Sequence, residues 1–317
     1  MITLLVGVAL AGLAFAMLLA PVEALGWWAG WYGEELARPR QDDTAAYVEA
    51  GSSHQTTHYV VFLDGIAKVG PQNYDDVQAL LDRLSKRLPE AVVLGDVMPY
   101  SVTNTGLLDK RPLSRFWRYA FAMKQQGKRP LLAFAINLRN VFQVLVAADA
   151  RYGPLYSQGE AQSVAASLLR HGYPPGSGTP VTLIGYSGGG QIALGVTRFL
   201  KRALDAPVTV ISLGGVMCSD TGLKEVEHLY HLVGSADPVP ALGRLFPGRW
   251  ALLANSHWNR MVRRGKFTLI RMGPMRHNGV NSYLDDEPKL ESGESFLEHT
   301  TATLADLLEK IASRYAD

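Results

Sequence analysis

Residues 185–189 read Gly-Tyr-Ser-Gly-Gly, between an apolar run at 180–184 and an amphipathic stretch at 191–204. The pattern Gly-x-Ser-x-Gly between a strand and a helix is typical of a sharp turn that exposes the serine hydroxyl, and small residues leave room for it. We therefore predict Ser187 as a nucleophile. A glycine-rich turn that binds phosphate at a helix N-terminus is the alternative, but no Lys-Ser or Lys-Thr pair follows to support a P-loop.

Short apolar runs alternate with amphipathic segments along most of the chain. Runs rich in β-branched and aromatic residues predict buried strands, and apolar residues at helical spacing predict helices between them. This alternation is typical of a mainly parallel sheet covered by helices on both faces. The predicted strands are 59–63, 91–94, 180–184, 208–213, 228–233 and 266–270, and the predicted helices include 75–88, 191–204 and 296–315.

The length, the net charge and the Cys and His content of the chain limit the number of domains and the kinds of partner and site that we expect. A chain of 317 residues can form one large α/β domain or two small ones. Its 31 basic and 29 acidic residues leave a net charge of +2, which gives no reason to expect a nucleic-acid partner. The single cysteine, Cys218, excludes an intramolecular disulfide. The histidines lack the accompanying ligands of a structural zinc site, so we expect neither a metal nor a cofactor.

The N-terminal 20 residues are uncharged and almost wholly apolar. A helix of about 20 residues is about 30 Å long, which matches the hydrocarbon core of a bilayer. Interfacial aromatics follow at Trp27, Trp28 and Trp31, so we expect a single-pass membrane anchor over 1–35 and a linker over 36–58. A signal peptide lacking its basic region, or a buried helix, is the alternative.

The side of the membrane follows from basic residues near the anchor. Arg38 and Arg40 come after it and no basic residue precedes it. The positive-inside rule therefore favours a cytoplasmic C-terminal domain, spanning 59–317.

Residues 99–157 interrupt the alternation of strands and helices. The segment begins with many basic residues and continues into an apolar helical stretch at 131–148. Arg139 in the middle of that stretch argues against a second membrane span. We expect a cap or a membrane-facing insertion, with an ordinary amphipathic helix packed on the sheet as the alternative.

A serine nucleophile needs a base, and the base needs an acid that holds its tautomer. Asp237 follows a predicted strand in a tight loop rich in Gly and Pro, and Asp220 holds a comparable position as the reserve acid. His277 follows the last predicted strand in the loop 273–279 and is the expected base. We expect His257 and His299 to be surface histidines.

An oxyanion formed by attack on a carbonyl needs two backbone N–H donors. The first expected donor is Gly188, directly after the nucleophile. The second is Ile66, in the turn after the first strand, where Gly65 permits the backbone to bend.

The turn at 185–189, the Gly-Ser-Ala-Asp loop at 234–237 and the Gly-Pro-Met-Arg-His loop at 273–277 together resemble the corresponding motifs of the α/β-hydrolase superfamily. The resemblance implies a sheet of about eight mainly parallel strands over 59–317, with a Ser187–Asp237–His277 triad. Two features depart from it. Asp64 stands where members often carry histidine at the oxyanion turn, and the long insertion precedes the nucleophile rather than following it.

The resemblance implies a serine esterase or lipase-like hydrolase that cleaves an ester or thioester. A membrane anchor favours a lipophilic substrate, so the expected partners are a small-molecule or lipid ester and membrane lipid. Two alternatives remain: acyl transfer by the same triad, and a catalytically silent domain that serves as a membrane-bound binding or assembly subunit.

Overall fold

A computed structural model describes residues 56–65, 71–97, 141, 144–149, 152–287 and 289–315. The expected anchor at 1–35, the linker up to 55, and most of the expected insertion at 99–157 lie outside these residues. Within the described residues, no helix has both the length and the apolar character required to cross a bilayer.

Six parallel strands form one sheet in the order β2-β1-β3-β4-β5-β6. Each of the six apolar runs marked as a strand in the sequence is a strand in the structure. The described residues contain six strands rather than the eight that the resemblance implies. The strands are β1 His58–Leu63, β2 Ala91–Leu94, β3 Val181–Tyr186, β4 Val208–Leu213, β5 Leu229–Val233 and β6 Phe267–Arg271.

Helices cover both faces of this sheet. Val60 and Phe62 of β1 join one apolar core, while Val61 and Leu63 join the other, as expected for a strand whose side chains alternate between two buried faces. The helices are α1 Pro71–Arg87, α2 Gly153–Arg170, α3 Gly189–Leu204, α4 His257–Arg263 and α5 Phe296–Ala312. Helices α1 and α5 pack in the core that contains Val60 and Phe62, and α2, α3 and α4 pack in the core that contains Val61 and Leu63.

Helix α3 begins at Gly189, two residues before the predicted start. The sequence suggested that the glycines belong to the turn. Gly189 and Gly190 instead open the helix. Residue 189 is a glycine because α3 lies so close to β1 that a Cβ there would stand 2.2 Å from the Leu63 carbonyl oxygen. Contact with another strand therefore accounts for a residue of low helical propensity in the first turn.

The strand order places a switch point between β1 and β3. The chain goes from β1 outward to β2 and then returns to the opposite side of β1 for β3. In open parallel sheets the loops at the carboxyl ends of two such strands diverge and leave a crevice between them. The Asp64-Gly65 turn follows β1 and the Ser187 turn follows β3, so both lie at this crevice.

Two histidines lie inside the sheet as neutral groups. His58 shares a 2.8 Å hydrogen bond between its Nε2 and Thr182 Oγ1, and burial lowers the pKa of His58 to about 4. His231 lies beside Ser212, and burial likewise lowers its pKa to about 4. Since an unfolded histidine titrates near pH 6.5, the unfolded chain binds more protons than the folded chain between these values.

The stability of the fold should therefore decrease as the pH falls from about 6.5 towards 4. For His58 alone the loss at pH 5, relative to pH 8, is about 2 kcal/mol by linkage. His58→Gln removes the titration while an amide can keep the bond to Thr182. We expect this variant to lose about 2 kcal/mol less than the wild type between pH 8 and pH 5, measured by urea unfolding.

Equal pH dependence in His58→Gln and the wild type would contradict the burial of a neutral His58.

Candidate active site

Ser187 occupies a turn of one residue between β3 and the first residues that lead into α3. Its φ is +54°, in the left-handed region that residues with a Cβ adopt at a cost. Gly188 follows with helical angles and Gly189 begins the helix. The chain therefore reverses direction at Ser187, and this geometry is that of a nucleophile elbow.

The two glycines of the pattern Gly-x-Ser-x-Gly are required by close contacts. A Cβ on Gly185 would stand 2.4 Å from the carbonyl oxygen of Gly189, across the turn. Gly189 itself lies against the backbone of β1. Any larger side chain at either position would force the strand, the turn and the helix apart.

Three side chains distant in sequence meet at Ser187. Since the Asp237 carboxylate can only accept, the His277 Nδ1–H donates to Asp237 Oδ2 at 2.9 Å. The other ring nitrogen, Nε2, is then free to accept from the Ser187 hydroxyl, at 2.8 Å. The structure thus brings together the three residues that the sequence predicted as nucleophile, base and acid.

The Asp237 carboxylate is held by further donors. Tyr283 donates its hydroxyl proton to Asp237 Oδ2 at 2.7 Å, and the Val239 N–H donates to Oδ1 at 2.9 Å. The Tyr283 oxygen in turn accepts the Gly234 N–H at 2.8 Å. The Asp237 side chain is wholly buried, and that of His277 is 11 % exposed. The Asp237 carboxylate is therefore shielded from water and fixed in position, while the His277 ring is accessible from one side.

Tyr186, directly before Ser187, positions the His277 ring. Its ring stacks on that of His277, with centroids 5.6 Å apart and planes 15° from parallel. Its hydroxyl donates to the backbone carbonyl of His277. Burial raises the pKa of Tyr186, and burial also raises that of Tyr283, so both phenols remain protonated donors.

Sequence reasoning missed both tyrosines. An aromatic residue at the end of an apolar strand, or in a loop, carries the same signal as an ordinary core residue. Only the position of Tyr186 inside the elbow pattern could have drawn attention to it.

The expected oxyanion donors are described only in part. Gly188 precedes α3, and within the described part of the chain its N–H donates to no acceptor. The Gly65 N–H donates to Asp64 Oδ1 at 2.6 Å. A Cβ on Gly65 would stand 2.8 Å from the Cβ of Ser187, so this glycine leaves space beside the nucleophile. Ile66 lies outside the described residues.

The reserve acid, Asp220, has a structural role. It caps a short 3-10 helix by accepting the Gly222 N–H at 2.7 Å, and it accepts from Gln191 Nε2 at 3.0 Å. Gln191 Oε1 accepts the Cys218 N–H at 2.8 Å. The first turn of α3 is therefore tied to the loop after β4, and the histidine pairs with Asp237 and not with Asp220.

The other two candidate histidines lie away from the triad. His257 begins α4, and His299 in α5 bonds to Glu294 Oε1 at 2.9 Å. In the part of the chain that the structure describes, no three His, Cys, Asp or Glu side chains are grouped as metal ligands.

Comparison with known proteins finds similarity at the level of structure. No protein-family model matches the chain, and no curated protein matches it. Esterase PE8 aligns with a TM-score of 0.38 and 15 % identity, over 81 % of this chain and 95 % of that one. A lipase-esterase related protein from Clostridium acetobutylicum aligns with a TM-score of 0.36 and 13 % identity, over the same shares.

The left-handed backbone at Ser187 has a measurable consequence. Ser187→Ala and Ser187→Gly both remove the hydroxyl, but only glycine removes the steric cost of a positive φ. We expect Ser187→Gly to be more stable than Ser187→Ala by about 1 kcal/mol in urea unfolding.

Ser167, within helix α2, is the matched control. There Ser167→Gly should be less stable than Ser167→Ala by about 1 kcal/mol, because glycine is the poorer helix former. If Ser187→Gly were less stable than Ser187→Ala, as expected for the pair at 167, the backbone at Ser187 would not be strained.

Proposed function

We propose that this chain is a serine hydrolase that cleaves a carboxylic ester or thioester through an acyl-enzyme. One observation carries the proposal: the Ser187 hydroxyl, on a left-handed turn at the end of β3, donates to a histidine whose other nitrogen is held by a buried carboxylate. Elbow strain, base and acid at such distances are what nucleophilic acyl transfer requires.

In the first half-reaction, Ser187 Oγ attacks the substrate carbonyl carbon as its proton passes to His277 Nε2. The resulting imidazolium is stabilised by the Asp237 carboxylate, which Tyr283 and the Val239 amide hold in place by donating to it. The carbonyl oxygen gains negative charge, and we assign the N–H groups of Gly188 and Ile66 to receive it. The tetrahedral species then expels the alcohol or thiol, which takes the proton from His277.

The second half-reaction repeats these roles with water. His277 Nε2 takes a proton from a water molecule, whose oxygen attacks the acyl carbon on Ser187. Collapse of the second tetrahedral species breaks the bond to Ser187 Oγ, which recovers its proton from His277. Every proton transfer in this cycle passes through one ring nitrogen, so the orientation of the His277 ring is the main demand on the surrounding structure.

We further propose that the substrate is lipophilic and is reached at a membrane. The support for this comes from the sequence: an uncharged, almost wholly apolar stretch of 20 residues opens the chain, followed by tryptophans typical of the membrane interface.

A fluorophosphonate probe tests the nucleophile, because it reacts covalently only with an activated serine hydroxyl. We expect the purified full chain to be labelled and Ser187→Ala to be unlabelled. Ser313→Ala, at an exposed serine near the C-terminus, should be labelled like the wild type. Labelling of Ser187→Ala, or no labelling of the wild type, would disprove the assignment.

Tyr283→Phe tests the support of the acid. The change deletes one hydrogen bond to the Asp237 carboxylate and orphans the buried Gly234 N–H, without removing a triad member. Since a hydrogen bond to a charged group contributes about 1.5–3 kcal/mol, we expect fluorophosphonate labelling to slow by about tenfold or more.

The control is Tyr173→Phe, which deletes a hydroxyl that donates to the Thr179 carbonyl, before the start of β3 and at the opposite end of that strand from Ser187. Tyr173→Phe should label at the wild-type rate. An unchanged rate in Tyr283→Phe, with the fold intact by circular dichroism, would show that this hydrogen bond does not act on the histidine.

A further inference from the structure

The segment that follows the acid loop exposes large apolar side chains among arginines. Leu252 is 88 % exposed, Leu245 is 73 % exposed and Trp250 is 50 % exposed. Exposed side chains of this size in one short segment mark a contact surface more often than chance. We define the basic apolar face as Arg244, Leu245, Trp250, Leu252, Leu253 and Arg263.

Hydrogen bonds join these residues into one continuous surface. The Trp250 indole N–H donates to the Arg244 carbonyl at 2.8 Å. The loop that carries Leu252 is held from α4, since Asn259 Nδ2 donates to the carbonyls of Trp250 and Leu253 at 2.8 and 2.9 Å. Arg263 donates to the Ala254 carbonyl at 2.5 Å. The leucines are thus exposed by a fixed loop.

The same segment is attached firmly to the protein. The Arg249 guanidinium lies 3.7 Å from the centroid of the buried Trp258 ring and donates to the Met217 carbonyl at 3.2 Å. A Cβ on Gly248 would stand 2.4 Å from the Cβ of Ser219. The backbone under the face is therefore packed against the loop after β4.

Charge is distributed very unevenly around this face. Between Asp237 and Asp285 the sequence has eight basic residues and no acidic one. Arg244, Arg260, Arg263 and Arg264 are exposed, and within 152–287 and 289–315 none of the four forms an ion pair. A partner for this face should therefore combine negative charge with an apolar interior.

We propose that the basic apolar face docks on the surface of an anionic phospholipid bilayer. Arginines would contact the lipid phosphates, and Trp250 and the leucines would enter the boundary between headgroups and acyl chains. The proposal does not depend on the hydrolase chemistry, because no triad residue belongs to the face.

A second copy of the chain is a poorer occupant. A symmetric contact through this face would oppose Arg244 and Arg263 to the same residues of the other copy, and like charges at a desolvated contact are unfavourable. Residues 110–139 are also a poor match, because that stretch has eight basic residues and no acidic one. Of these three occupants, anionic lipid is the one that complements both the leucines and the charge.

The face adjoins the acid loop of the site. Val239, whose N–H donates to Asp237 Oδ1, is the first residue of the 3-10 helix Val239–Leu245 that leads to the face. Docking through this face would therefore hold the acid side of the site near the lipid headgroups.

The test uses the full chain with an environment-sensitive fluorophore on Leu252→Cys. The native Cys218 is buried, which raises its pKa to about 12, so it should react slowly. In nanodiscs that contain phosphatidylglycerol, we expect a blue shift of the probe and quenching by lipids with a doxyl group in the acyl chain. In phosphatidylcholine nanodiscs both effects should be smaller. The control, Asp306→Cys on the opposite side of the sheet, should show neither.

Paired charge reversals separate docking from net charge. Arg244→Glu with Arg263→Glu should reduce the quenching at Leu252→Cys by about half or more, because both arginines belong to the face. Lys86→Glu with Lys310→Glu makes the same change in net charge on α1 and α5 and should have no effect.

Several results would overturn the proposal. The first is a probe at Leu252→Cys that stays in water when anionic lipid is present, and the second is an equal response at Asp306→Cys. The third is an equal blue shift in nanodiscs of either lipid, which is the result expected if another copy of the chain or another of its segments covers the face. Fluorophosphonate labelling in detergent is independent of all three, so docking and hydrolase chemistry can fail separately.

Discussion

The site depends on one unfavourable backbone conformation, the positive φ at Ser187. Conformations of this kind cost about 1–3 kcal/mol and persist where the surroundings over-determine them. Here the Ser187 N–H donates to the Leu213 carbonyl, while the Ser187 carbonyl accepts from Gly190 and Val216. Strand β4, the loop after it and helix α3 thus each hold one side of the turn. Glycine at 185 and 189 permits these elements to approach so closely.

The acid side of the site is built as a chain of hydrogen bonds. The Gly234 N–H binds the Tyr283 oxygen, Tyr283 binds Asp237, Asp237 binds His277, and His277 binds Ser187. Donors converge on Asp237 from both ends of this chain, so neighbouring bonds polarise one another, and the members lie in a mostly buried environment where such bonds are stronger than in water. Gly214, with a φ of +57°, leaves room for this arrangement, since a Cβ there would stand 2.9 Å from Asp237 Oδ2.

Local patterns in the sequence account for the six strands, the elbow and the three linked side chains. A buried strand or a strand-to-helix turn depends on residues within a few positions of one another, so its signal is local. Tyr283 and Gln191 escaped prediction because their roles depend on contacts with Asp237 and Asp220, 46 and 29 positions away. The predicted start of α3 is two residues too late for the same reason, because the glycine at 189 is required by a contact with β1, which the local pattern does not show.

The segment after Asp237 meets opposite demands at its two ends. Its first amide, at Val239, binds the buried carboxylate, whereas Leu245 and Leu252 further along stand in water. Both requirements can be met only if the backbone between these residues is fixed in position. Arg249, stacked on Trp258, and Gly248, packed against Ser219, fix it. Exposing the leucines raises the free energy of the protein in water. That cost is recovered only where the face is covered, so the segment fits the proposed docking on a membrane better than permanent exposure to bulk solvent.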